Sequence, residues 1–208
     1  MAARDYGDPT ARLIPNSVDM DQFHAPPRKR QAQPTVGLLY SSLTWKGVAV
    51  SLKAVEMAAK LVPGLRLVAF GVEPISNTLP LPSNATYHQR PAQAAIRDLY
   101  ASCDVWVCGS YSEGFHLPPL EAMACRCPVV STSVGGPIDI IENGKNGYLV
   151  PVGDANALAD SLADVLNLEE IRWLAMSDAA LATAAHYTWD DATVLFEKAL
   201  REIAGIDV

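Results

Sequence analysis

Four short apolar runs, each followed by a stretch of another character, constrain this chain more than any other feature. TVGLLY (Thr35 to Tyr40), RLVAFG (Arg66 to Gly71), DVWVC (Asp104 to Cys108) and PVVST (Pro128 to Thr132) are five or six residues long and largely apolar. A strand without polar alternation is covered on both faces. The intervening segments repeat at helical spacing. Val48, Leu52, Val55, Ala59 and Val62 share one face of VAVSLKAVEMAAKLV, and Pro63-Gly64 stops that helix. Further helices are expected over Ala92 to Cys103 and from about Pro118 to Cys125. ATYH and GYLVP read as shorter strands and PIDIIEN as a brief helix. Helices over 154–167, 169–186 and 189–203 complete the chain. Strands alternating with helices predict an α/β domain built on a parallel sheet. Such sheets bind ligands at the carboxyl ends of their strands. The loops after Tyr40, Gly71, Cys108 and Thr132 are therefore the informative ones.

Half of the 208 residues are hydrophobic, enough for a packed core, and the net charge is −7. An acidic chain of this kind is not expected to bind nucleic acid. No apolar run is long enough to span a bilayer and no secretory signal is evident, so a cytoplasmic location is expected. Membrane association is left open. Cys103, Cys108, Cys125 and Cys127 fit no zinc spacing and read as reduced core thiols. Residues 1–33 read as a linker-like segment, with a solvated basic cluster in PPRKRQAQP, and residues 34–208 as the domain.

The loop after Cys108 is GSYSEGFHL, and it runs into a helix. A helix start exposes unpaired N–H groups and carries partial positive charge, which suits a phosphate. Glu113 precedes that helix and Glu121 lies in its first turns. Carboxylates repel phosphate, so their expected partners are sugar hydroxyls on either side of one. The bland alternative is that Glu121 complements the helix dipole and Glu113 is solvated. In SSLTWKG, Lys46 lies just before a helix, placed for a diphosphate or as a plain surface charge. Gly135 and Gly136 permit close backbone approach to a ligand, or simply a turn. The DMD triplet at Asp19 to Asp21 has a metal-diphosphate spacing, but it lies in an irregular segment. No metal site is expected.

EGFHLPPLEAMACRCPVVSTSVGG closely resembles the pattern E-G-F-G-L-x-x-x-E-A-x-A-x-G-x-P-V-V-x-[ST]-x-x-G-G of glycosyltransferase family 4. IPNSVDMDQF, WKG, IIENGKNGYLVPVGD and YTWDDATVLFEKAL resemble further landmarks of that family in the same order. The chain thus resembles the C-terminal, donor-binding half of a GT-B glycosyltransferase: a Rossmann-like parallel sheet flanked by helices. The resemblance implies a retaining, metal-independent transferase of a hexose from a UDP- or GDP-sugar to an unknown acceptor. It implies that Glu113 faces the transferred sugar. Gly114, Phe115, His116 and Leu117 would bind sugar and phosphate, and Lys46 would neutralise the diphosphate. Glu121 would hold the ribose, with His88, Gln89 and Arg90 near the base.

It also implies a missing N-terminal acceptor-binding domain, little activity from this chain alone, and an exposed apolar patch near Tyr187 to Leu200. Alternatives are a non-catalytic nucleotide-sugar-binding subunit and a piece of a GT-B nucleotide-sugar epimerase. Three positions depart from the family pattern. The first-strand loop has no arginine, His116 replaces a glycine, and Arg126 replaces another, with a solvent-facing side chain expected there.

Overall fold

The computed structural model describes Gly7 and residues 11–205. One sheet contains β1 (Thr35–Leu39), β2 (Arg66–Gly71), β3 (Ala85–Gln89), β4 (Val105–Cys108), β5 (Val129–Thr132) and β6 (Gly147–Val150). The strand order is β3-β2-β1-β4-β5-β6, and all five pairings are parallel. The chain winds outward from β1 to β3, then crosses back to β4 and winds the other way. The β1 and β4 strands are neighbours whose crossover helices leave toward opposite faces, which opens a crevice at their carboxyl ends.

The helices among the described residues are α1 (Val48–Leu61), α2 (Gln93–Ala101), α3 (Leu117–Ala124), α4 (Pro137–Ile140), α5 (Ala155–Leu166), α6 (Glu170–Ala184) and α7 (Trp189–Ala204). A single 3-10 turn over Thr44–Lys46 precedes α1. Each apolar run forms its strand because both faces are covered. Val36, Leu38, Val107 and Val130 face the side where α1 packs on α5. Phe70, Trp106, Cys108 and Val129 face the side of α2 and α3. Gly37 leaves room for the second layer, because a Cβ there would lie 2.1 Å from the Trp106 ring. All four cysteines are free and buried, as their spacing suggested. No helix among the described residues is long and apolar enough to cross a membrane.

The N-terminal segment is irregular but packed on the domain, and its basic cluster differs from the solvated one expected. Val18 and Phe23 are buried in the second core layer. The Val18 amide donates to the Tyr187 carbonyl at 3.1 Å, and the Ser17 hydroxyl to the Thr188 carbonyl at 2.8 Å. The basic cluster is structural as well. The Arg28 guanidinium lies 4.8 Å from the Trp173 ring centre and donates to the Cys103 carbonyl. Arg30 donates to the Leu166 carbonyl at 2.8 Å. The knot of this region is Asp104, which is 1% exposed. Its two oxygens accept from the amides of Gln31 at 2.7 Å and Thr35 at 2.9 Å. Burial pushes its carboxyl pKa up, while these hydrogen bonds and the nearby arginines oppose the rise.

The α7 helix is capped by Thr188, whose hydroxyl accepts from the Asp191 amide at 3.1 Å. It turns Trp189, Phe196, Leu200 and Ile203 to one exposed side, an apolar stripe at helical spacing. The patch expected there is present.

Replacing Asp104 with Ala leaves the amides of Gln31 and Thr35 without their acceptor and removes the carboxylate beside Arg28. The expected cost is about 3 kcal/mol of unfolding free energy in urea titration. A loss below about 1 kcal/mol would show that the Asp104 hydrogen bonds contribute little to holding the N-terminal segment.

Candidate functional site

Three loops meet at the crevice because glycines let their backbones touch. Gly47, at φ 58°, has no room for a side chain: a Cβ would lie 1.8 Å from the Gly109 carbonyl oxygen. The Tyr111 amide donates to the Trp45 carbonyl at 2.8 Å. These contacts join the loop after β1 to the loop after β4. Thr132, at the end of β5, adds a hydroxyl bond to the Ser110 carbonyl at 2.6 Å. The Gly-Gly pair also serves the protein itself. The Gly136 amide donates to the Gly114 carbonyl at 2.9 Å. A Cβ on Gly135 or Gly136 would lie 2.0 Å from the carbonyl oxygen of Gly114 or Phe115, respectively. The close approach is therefore to the 113–115 backbone. Gly114 has its other side open, with nothing within 4 Å of a Cβ placed there.

This framework brings Lys46 and Glu113 together. The Lys46 Nζ is 2.9 Å from Glu113 Oε1 and 3.1 Å from Oε2. The buried Ser110 hydroxyl donates to Oε1 at 2.7 Å. Only 8% of the Glu113 side chain is exposed, against 25% of Lys46. Glu113 is thus an ion-paired carboxylate at the crevice, not a solvated loop residue. Nothing in the spacing around Ser110 marks it in the sequence; its role depends on where β4 ends.

The α3 helix starts at Leu117, one residue before the predicted Pro118. Its first turn contains Pro118 and Pro119, which carry no N–H. The donors left at this positive end are the amides of His116 and Leu117. His116 is the N-cap, at φ 65° and ψ 80°, and contributes no capping bond from its side chain. That side chain is 4% exposed, with Nε2 3.6 Å from Glu113 Oε1. Nδ1 is buried without a partner. Burial lowers the imidazole pKa to about 4; Glu113 raises it and Lys46 lowers it further. The ring is neutral at pH 7.

Glu121 lies one to two turns along α3 and is half-buried. It accepts the Tyr100 hydroxyl at 2.7 Å. Burial raises its pKa, and the Tyr100 bond works against that rise. Tyr100 is itself fixed by aromatic neighbours, 4.5 Å from Trp106 and 5.4 Å from Phe70 between ring centres. Phe115 packs 6.0 Å from the Tyr187 ring. His88 and Gln89 end the edge strand β3, with His88 in register beside Phe70, and Arg90 follows it; β3 is two strands and about 10 Å from β1. The Arg90 Nε donates to the Val72 carbonyl at 3.1 Å. The loop after β1 supplies Ser41, Ser42 and Thr44, which line a cavity of about 330 Å³ with Leu79 and Tyr111.

The family model for glycosyl transferases group 1 matches residues 19–180. The chain belongs to this family. It is 31% identical over 220 aligned positions to a D-inositol 3-phosphate glycosyltransferase of Mycolicibacterium paratuberculosis, covering 95% of this chain and 49% of that one. It therefore spans about half the length of the curated relatives it matches. Among solved structures, sucrose-phosphate synthase from Thermosynechococcus elongatus superposes with a TM-score of 0.81 at 22% identity, over 98% of this chain and 56% of that one. Anabaena HepE in complex with UDP-glucose gives 0.74 at 21% identity, over 94% and 57%. The six-stranded parallel sheet flanked by helices matches about half of these GT-B glycosyltransferase structures.

Within this group 1 domain, the two replaced glycines share one backbone feature. His116 and Arg126 both have positive φ, 65° and 61°. Glycine is the low-strain residue there. Arg126 is not solvent-facing, contrary to expectation. Its Nε donates to the Ala25 carbonyl at 3.1 Å, its NH1 pairs with Asp178, and its carbonyl accepts the Ser177 hydroxyl at 2.8 Å. It clamps the N-terminal segment to α6.

The His116 shift has a definite sign for stability. Its folded pKa of about 4 lies below the unfolded value of 6.5, so between these values the unfolded chain binds the extra proton. Stability is intact above pH 6.5 and is lost as the pH falls towards 4, by about 3 kcal/mol in all. In His116→Gln this component of the acid loss should vanish. Unfolding titrations of both proteins across that range check it, and parallel pH profiles would contradict a buried neutral imidazole.

Proposed function

We propose that this chain binds a nucleoside-diphosphate sugar at the crevice between the β1 and β4 loops, as the donor half of a retaining family 4 glycosyltransferase. The observation that carries this is the meeting of Lys46, Glu113 and the α3 N-terminus at the switch point, with Glu121 further along the same helix. Positive charge and free amides at one place suit a diphosphate. Carboxylates on either side suit hydroxyls. Glu113 would face the transferred hexose, Glu121 the ribose, and the His88 to Arg90 end of β3 the base. The HepE structure of similar fold holds UDP-glucose, and the inositol-phosphate relatives are named as glycosyltransferases. Both support a donor-site reading.

In the proposed reaction the bond from the anomeric carbon to the diphosphate oxygen breaks, and the electron pair leaves with the nucleoside diphosphate. Lys46 and the amides of His116 and Leu117 stabilise the growing negative charge, without a metal. The acceptor hydroxyl attacks the same face, which retains configuration, and its proton passes to the leaving phosphate oxygen. No enzyme nucleophile is needed. The acceptor site is assigned to a second Rossmann-like domain across the crevice, in keeping with the half of the relatives' length that this chain does not cover. The apolar stripe of α7 suits contact with such a domain.

Calorimetry with UDP-glucose, UDP-N-acetylglucosamine and GDP-mannose in the presence of EDTA tests the reading. At least one should bind, and Glu121→Ala should weaken it about tenfold by removing ribose hydrogen bonds. Silence from all three, or equal binding by the variant, would count against the site.

A further inference from the structure

Lys46 has two claims on it. In the ligand-free protein both carboxylate oxygens of Glu113 hold its ammonium, at 2.9 and 3.1 Å. A diphosphate in the crevice needs the same charge. When Lys46 turns to phosphate, Glu113 is left as a carboxylate only 8% exposed, and a buried charge that loses its partner costs several kcal/mol. The Ser110 hydroxyl keeps a hydrogen bond to Oε1 but adds no charge. Among the described residues, the other basic side chain beside this carboxylate is His116. Its Nε2 stands 3.6 Å from Oε1, beyond hydrogen-bond range. Its Nδ1 is buried and unpartnered. A residue in a backbone conformation that favours glycine, with Nδ1 buried and unpartnered and Nε2 just beyond reach of Glu113, is held short of the contacts it can form.

We infer that His116 is a positioning residue: when the donor diphosphate draws Lys46 away, His116 closes on Glu113 as an imidazolium, and donor binding takes up one proton. The inference rests on the donor-site reading above. The proton comes from solvent, while Glu113 and Lys46 keep their charges throughout. The direction follows from the groups that act on the ring. Burial is the largest influence holding the imidazole neutral, and it is already nearly complete, so an arriving ligand adds little. Glu113 favours the proton and Lys46 opposes it. Removing Lys46 to the phosphate removes the opposing charge and leaves the favouring one unpaired. The positive end of α3 opposes protonation in both states, and the diphosphate's negative charge offsets it in the bound one. Glu113 is then held at the sugar throughout the exchange of its cation.

Two measurements decide this. UDP-glucose and GDP-mannose are titrated calorimetrically at about pH 6 in buffers of different ionisation enthalpy; neither diphosphate diester titrates near there. The wild-type chain should take up about half a proton or more per donor bound, and His116→Gln close to none. Binding without uptake, or uptake that survives in His116→Gln, overturns the exchange. Absence of binding by both donors overturns the donor site, and this inference with it. The second measurement needs no donor. The His116 resonance, identified by its loss in His116→Gln, is followed by NMR against pH. In Lys46→Met it should titrate at least about one pH unit higher than in the wild type. An unchanged titration overturns the coupling between Lys46 and His116.

Discussion

The contact between Gly47 and Gly109 is the constraint on which the site depends. A parallel sheet that reverses direction at β1 and β4 opens a crevice, but it does not by itself bring the two following loops together. Here a carbonyl oxygen occupies the space of a missing side chain, 1.8 Å from where a Cβ would stand. Lys46 immediately precedes Gly47, and Ser110 immediately follows Gly109. The approach of these two backbones therefore sets how Lys46 meets Glu113 and how Ser110 reaches the same oxygen. The Gly135 and Gly136 turn then closes on the 113–115 backbone from the β5 side. Backbone hydrogen bonds and glycine contacts, rather than flexible side chains, define where the carboxylate sits.

The order and type of the elements were legible because both rest on local signals. Apolar runs, helical spacing and Pro-Gly stops depend on residues a few positions apart. Glu113 and Lys46 were legible as candidates because the strands before them end in loops on the ligand side of the sheet. Their pairing was not, since it crosses from one crossover unit to another. Tyr100 as the partner of Glu121, and Asp104 as the anchor of Gln31 and Thr35, were hidden for the same reason. PPRKRQ reads as solvated by composition. Its arginines find Trp173, Leu166 and Cys103, whose proximity exists only once the sheet and α6 have formed.

The departures from the family pattern show how one backbone feature can be used in two ways. Positions 116 and 126 keep the left-handed conformation that glycine accepts freely. At 126 the added side chain is structural: its guanidinium bridges Ala25 and Asp178, offsetting the strain with contacts that fix the N-terminal segment. At 116 the added ring makes no hydrogen bond through either nitrogen. Two buried groups face each other there, the Glu113 side chain paired with Lys46 and an imidazole that burial keeps neutral.

That asymmetry sets the electrostatics of the crevice. In the resting state one cation serves one anion, so the site offers a diphosphate less free positive charge than its residues contain. The proline pair at the start of α3 limits the amides available there, and the β1 loop offers Ser41, Ser42 and Thr44 where the family pattern has an arginine. On the proposed donor-site reading, a diphosphate competes with Glu113 for Lys46. On that reading a second basic group on the same carboxylate, neutral while Lys46 is in place, would reduce the penalty of that competition without placing a permanent charge in the buried site. On the reading proposed above, the histidine at 116 would take the electrostatic part of the arginine that the resemblance leads one to expect in the β1 loop.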